Sequence, residues 1–383
     1  MPSTHILTVN SRTFDIHLRY MFAGTGKDGA EHQGGALADI LGIREGDNIV
    51  FYVAEHGFYG FFTAMSVDGG NLVFYESPNG QYLDTELGKK TLTYRFFIRP
   101  SNHGVFRRGV SEWDAIENPD HILEQSIFNM QWGWIFKKLK GGRGCVAIPE
   151  EESQLLRAII TGGNERLERA DQYCFSQGEI GPCAEPHEYR GDTRRVPAIH
   201  EDLRRIYTEE DLRIFFTANA GREYILDTVL RPRDYGQIVY IANEAKCSFG
   251  MRSIDLLFLT NGNTCLLVEL KNDFECGISI LGQLSGYARW IGSYKRGLER
   301  IVPILILREP RVCPARRGGL RFKHLSEEDF RNGQLSPWYT EIVGKLDETR
   351  TGLGAVAIPR VEELERFVFR TNSQNELESF SAI

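Results

Sequence analysis

Ser253-Ile254-Asp255-Leu256-Leu257-Phe258, then Asn261-Gly262-Asn263, then Leu267-Val268-Glu269-Leu270-Lys271 is the stretch whose reading decides the fold. Two apolar runs separated by an Asn-Gly turn form a strong hairpin signal, with strands expected over 253–260 and 264–270. Successive strand side chains point to opposite sides, so Glu269 and Lys271 share a face, and the returning strand can bring Asp255 beside them. Charged groups on otherwise apolar strands are costly to bury without compensation.

Working outward, Gln237–Glu244 reads as a further strand, 280–296 as a helix and Val302–Leu307 as a buried strand. Upstream, Thr208 is an N-cap for an acidic helix start, Glu209-Glu210-Asp211-Leu212. This order predicts an α/β domain over 206–383, a mixed sheet flanked by helices. Residues 1–160 read differently. Asn48–Val53, Gly57–Thr63, Asn71–Tyr75 and Thr91–Ile98 are β-branched or aromatic runs, joined by short helices over 36–41, 119–128 and 150–160. A β-rich domain is expected there. Residues 161–205 are rich in Gly, Pro, Arg and Glu and read as an irregular linker.

The carboxylates Asp255 and Glu269 suit Mg²⁺, which prefers oxygen ligands and keeps several waters, with Mn²⁺ able to substitute. Such an ion suits phosphoryl chemistry, and Lys271 would orient water or stabilise developing negative charge. On the next helix Gln283 and Tyr287 are four apart and share a face. A buried ion-pair cluster with no catalytic role is the bland alternative.

The segment from Thr208 to about Val302 resembles the PD-(D/E)xK nuclease superfamily, and within it the C-terminal nuclease domain of the NucS (EndoMS) endonucleases. The likeness rests on Thr208 to Leu212, Gly250 to Leu257, Val268-Glu269-Leu270-Lys271, and Gly282-Gln283-Leu284 with Tyr287. It implies metal binding by Asp255 and Glu269, a catalytic Lys271, and Gln283 completing the motif. It also implies an acidic residue on the first helix, for which Glu209 is the candidate and Glu210 and Glu223 are rivals. Arg252 and Tyr287, inside the matched motifs, are then expected to meet nucleic acid. The implied reaction is hydrolysis of DNA phosphodiester bonds, and cutting both strands calls for a homodimer.

The first domain weakly resembles the PUA-like superfamily of small β-barrels, which includes EVE and YTH domains and cradles bases. The likeness rests on Leu41 to Tyr52 and Gly57 to Phe62. Trp132, Trp134 and Lys137 mix aromatic faces with cations, which suits stacking on a base, although alternate aromatics equally suit a half-buried strand. Arg107 and Arg108 are a further candidate contact. Together these expectations describe a DNA endonuclease of restriction type, with base modification one candidate for what directs it. Mismatch or branched-DNA repair and a non-cleaving sensor are the rivals.

The net charge of −7 argues against attraction of nucleic acid by the whole surface but allows a local basic groove. Seven scattered cysteines suit reduced thiols in a cytoplasmic setting. Cys174, Cys183, His187 and His200 are a possible zinc set, though their spacing matches no compact zinc module. No apolar run is long enough to cross a bilayer. The first residues lack a basic region followed by an apolar stretch, so no secretory signal is expected.

Overall fold

The structure is a computed structural model. It describes residues 2–25, 33–66, 73–75, 83–87, 92–116, 144–191, 193–195, 201–220, 235–247, 252–272, 279–295, 297–309, 359–362 and 364–382. The fold is mixed α/β, and the chain divides into two compact units, Met1–Asp202 and Leu203–Ile383.

The first unit is built on an eight-stranded curled sheet, a half barrel. Its strands are β1 (Thr4–Val9), β2 (Phe22–Thr25), β3 (Asn48–Val53), β4 (Gly57–Met65), β5 (Phe74–Tyr75), β6 (Tyr94–Pro100), β7 (Cys145–Ile148) and β10 (Arg194–Arg195). The order is β10-β5-β6-β4-β3-β1-β7, with β2 also on β6. β1 runs parallel to β3, while β3 and β4 form the expected antiparallel hairpin. Ile6, Val50, Phe61, Val146 and Ile148 pack with Leu156 and Ile160 of the helix Glu150–Thr161. That helix starts behind Pro149 with three acidic residues in its first turn, as the sequence suggests. Helix α1 (Ser11–Tyr20) is capped by Asn10, whose side chain accepts the Thr13 N–H. The expected helix over 119–128 lies outside the described residues.

Part of the expected linker is instead a hairpin, β8 (Tyr173–Ser176) and β9 (Glu179–Pro182). Gln177 and Gly178 turn it with φ of 52° and 81°, the left-handed pair that a two-residue hairpin turn requires. Phe175 inserts between Phe14 and Tyr59, with ring centroids 5.0 and 5.3 Å away. Aromatic burial therefore outweighs the polar composition that made this stretch read as irregular.

The second unit holds a seven-stranded mixed sheet in the order β11-β12-β13-β14-β16-β17, with the short β15 beside β14. Its strands are β11 (Ile238–Cys247), β12 (Arg252–Thr260), β13 (Thr264–Lys271), β14 (Arg300–Arg308), β15 (Arg360–Val361), β16 (Glu365–Thr371) and β17 (Leu377–Ala382). The β12–β13 hairpin turns as expected, with Asn263 at φ 52°, a backbone angle that Asn tolerates better than most residues. β13 and β14 are parallel, so the helix Ser279–Tyr294 between them is a crossover. Leu256, Phe258, Leu266, Val268 and Ile304 form one core with Leu212, Phe215 and Phe216 of the helix Glu209–Asn219.

That helix begins with a capping box. Thr208 Oγ1 accepts the Asp211 N–H at 3.2 Å, and Asp211 Oδ2 accepts the Thr208 N–H at 2.8 Å. Thr208→Ala is expected to cost about 1 kcal/mol, read as a lower urea midpoint at unchanged slope. No change in midpoint would show that the cap adds nothing to this helix.

Candidate active site

The paired ladder between β12 and β13 ends at Leu256 and Val268. Beyond it the Asp255 carboxylate replaces a backbone partner: Oδ2 accepts the Leu270 N–H at 2.8 Å. The local break in pairing thus aims Asp255 at the end of β13. There Lys271 Nζ lies 3.1 Å from Glu269 Oε1 and 3.5 Å from Glu209 Oε2, and donates to Leu270 O at 2.7 Å. Exposure rises across the group, from 5% for the Glu269 side chain through 26% for Lys271 to 46% for Glu209. Among the described residues the cluster is most open at Glu209.

Three carboxylates and one ammonium leave the cluster short of positive charge. Burial, then the charge of Asp255, pushes the Glu269 carboxyl up to about 7 against the pull of Lys271. Burial likewise raises Asp255, opposed by Lys271 and the Leu270 N–H. Burial alone would lower Lys271, yet Glu269, Asp255 and Glu209 outweigh it and hold its ammonium above the usual range. Glu269 Oε2 is buried with no hydrogen-bond partner among the described residues. A buried acceptor left unmade is costly, and a cation placed there would relieve it. Among the described residues no three His, Cys, Asp or Glu gather as a metal-holding group. Two carboxylates with water still fit Mg²⁺, which commonly takes one or two carboxylates from the protein.

The helix cap selects among the acidic candidates. Glu209 reaches Lys271, whereas Glu210 lies 3.7 Å from Arg213, and Glu223 lies outside the described residues. Arg213, one turn after Glu209, pairs with Glu244 at 2.8 Å and favours the charged form of Asp255. Arg308 donates to Asn272 Oδ1, Ile206 O, Thr371 Oγ1 and Asn375 Oδ1, which fixes the chain immediately after Lys271. Sequence reasoning missed both arginines. The position of Arg213 at i+4 from Glu209 was the available signal.

Other candidates fare differently. Tyr287 is 3% exposed and donates to Ser253 O at 2.7 Å, so it ties its helix to β12 rather than facing a nucleic acid. Gln283 is half-buried, and among the described residues no hydrogen bond joins it to Asp255, Glu269 or Lys271. Arg252 begins β12. Arg107 forms a two-point pair with Glu165 at 2.6 and 3.0 Å, and Arg108 pairs with Glu179 at 3.0 Å. Both charges are answered within the protein, which weakens their case as phosphate contacts. Trp132, Trp134 and Lys137 lie outside the described residues. Cys174 and Cys183 are joined in a disulfide across the β8–β9 hairpin, and the His187 ring packs on Tyr20 at 5.4 Å. That pairing corrects the expectation of reduced thiols at these two positions and removes both from a zinc set, of which His200 lies outside the described residues.

Among the described residues, no helix is long and apolar enough to cross a membrane. No family model matches the chain, and no curated protein gives a significant match.

Proposed function

We propose that the chain is a metal-dependent endonuclease hydrolysing DNA phosphodiester bonds, with the second unit as its catalytic part. The observation that carries this reading is the gathering of Asp255, Glu269 and Glu209 about Lys271 at the end of β13, with Glu269 Oε2 buried and without a hydrogen-bond partner among the described residues. The resemblance of Thr208 to Val302 to PD-(D/E)xK nucleases, which rests on the same residues, agrees with it.

Asp255 and Glu269 would hold the cation, Mg²⁺ or Mn²⁺. When bound, the ion would supply positive charge that polarises a phosphoryl oxygen and steadies the leaving oxygen. Lys271, whose charged form its carboxylate neighbours favour in the metal-free chain, would act as a donor. Its ammonium can orient the attacking water or stabilise charge growing on the phosphoryl group. Glu209 and Glu269 position Nζ from either side. Cutting both strands requires two such sites, so a homodimer belongs to the proposal.

The first unit, a curled sheet with the PUA-like resemblance, would choose the target, which makes a restriction-type enzyme directed by base modification the favoured form. A panel of unmodified, base-modified and mismatched duplexes, incubated with Mg²⁺ or Mn²⁺, tests it. Cleavage concentrated on modified duplexes is expected. Preference for mismatches would move the reading to repair, and no cleavage of any duplex would leave a nucleic-acid sensor.

A further inference from the structure

The first unit contains a cleft of about 350 Å³ lined by Ser101, Asn102, Gly104, Arg166, Arg169 and Tyr173, among others. It is built rather than incidental. Leu167 N–H donates to Val105 O and Arg107 N–H to Glu165 O, so residues 165–167 are laced to 105–107 by main-chain bonds. This lacing sets Arg166 along one wall, where its guanidinium donates to Asn102 O at 3.3 Å. Gly104, at φ +94°, leaves room for it: a Cβ there would come within 2.3 Å of Arg166 Nε. Tyr173 is buried, and its hydroxyl accepts the Ala170 N–H at 3.0 Å, which steadies the segment carrying Arg169.

The charged residues among those that line this cleft are Arg166 and Arg169. Among the described residues no carboxylate pairs with Arg157, Arg166 or Arg169, although Arg107, whose N–H donates to Glu165 O, and Arg108 are both paired. Arg157 lies over the Phe61 ring at 5.8 Å, and its Nε is buried without a partner. His103 packs on the other contact of that ring at 6.1 Å. Burial, then Arg157 and Arg166, holds the His103 imidazole below its usual range, with Glu150 opposing. In a chain of net charge −7, two arginines on the wall of a polar cleft with no carboxylate partner among the described residues depart locally from the bulk charge.

We propose that this cleft binds the phosphodiester backbone of a nucleic acid through Arg166 and Arg169, with Asn102 and Ser101 as neutral polar partners. The choice of nucleic acid over another phosphate source rests on the nuclease reading. Guanidinium forks match phosphate oxygens in geometry and charge, and backbone contacts of this kind fix register without reading sequence. Base choice would then fall to other parts of the unit.

The test is fluorescence anisotropy of a labelled duplex with the full chain in EDTA, across a salt series, comparing wild type with Arg166→Glu/Arg169→Glu. The double variant is expected to bind about tenfold or more weakly, with a slope of log K against log salt shallower by about two, one per lost phosphate contact. Arg169→Gln alone, which removes a side chain with no partner among the described residues, is expected to lower the slope by about one, so the test survives if the double variant does not fold. Unchanged affinity and slope in Arg169→Gln would overturn the proposal. If wild type cleaves DNA while the variants bind as wild type does, the cleft fails and the nuclease reading stands. If the variants lose affinity while wild type cuts nothing in Mg²⁺, the cleft stands and the nuclease reading fails.

Discussion

Replacing Lys271 with Met is expected to slow DNA cleavage by about 10²–10³-fold, the usual cost of removing one donor from developing transition-state charge. The side chain keeps its apolar length, so packing at the end of β13 should hold. The ammonium it removes stands 3.1 Å from Glu269 and 3.5 Å from Glu209. Because those carboxylates keep Lys271 protonated, the loss should fall on the maximal rate, with the substrate concentration at half-maximal rate little changed. Lys271→Arg should rescue poorly, since a planar fork cannot occupy the place of a compact ammonium. Single-turnover cleavage against substrate concentration checks this. A rate within fivefold of wild type would remove Lys271 from the chemistry.

Glu269→Gln is expected to do two opposite things: abolish metal-dependent cleavage and stabilise the metal-free protein above neutral pH. The folded carboxyl titrates near pH 7 against an ordinary value of 4.5. The folded state therefore retains a proton that the unfolded chain has released between those values. The stability tied to that proton is fully present below pH 4.5 and is lost as pH rises through 7. Glutamine does not titrate, so the variant should match wild type near pH 4.5 and exceed it at pH 8 by roughly 3 kcal/mol. Calcium, which binds carboxylates without the same chemistry, should raise the melting temperature of wild type and leave the variant unmoved. Thermal melts at both pH values, in EDTA and in calcium, decide it. A variant less stable than wild type at pH 8 in EDTA would mean that Glu269 serves structure, through Lys271, and not a cation.

The parts of the fold legible in sequence were those where one local signal fixes geometry. Asn261-Gly262-Asn263 set a hairpin, and the alternation of β13 then placed Glu269 and Lys271 together. Thr208 set the start of a helix, and its phase selects Glu209 over Glu210. What stayed hidden depends on distant partners. The sequence shows Arg107 and Arg108 as free charges because Glu165 and Glu179 lie more than fifty residues away. Helical spacing puts Gln283 and Tyr287 on one face but cannot say that Tyr287 is buried and bonded to Ser253. The β8–β9 hairpin was obscured by polar composition, and with it the proximity of Cys174 to Cys183. The partnerless oxygen of Glu269 is visible only once the strands are placed, since burial is a property of packing.

The claim that Asp255 and Glu269 hold a catalytic cation is tested most directly by one time course of duplex cleavage. Wild type and Asp255→Asn are each followed in Mg²⁺ and in EDTA, on the duplex that the substrate panel identifies. Cleavage by wild type in Mg²⁺, absent in EDTA and reduced by 10²-fold or more in Asp255→Asn, is the expected result. Cleavage that persists in EDTA, or that Asp255→Asn leaves intact, would contradict it.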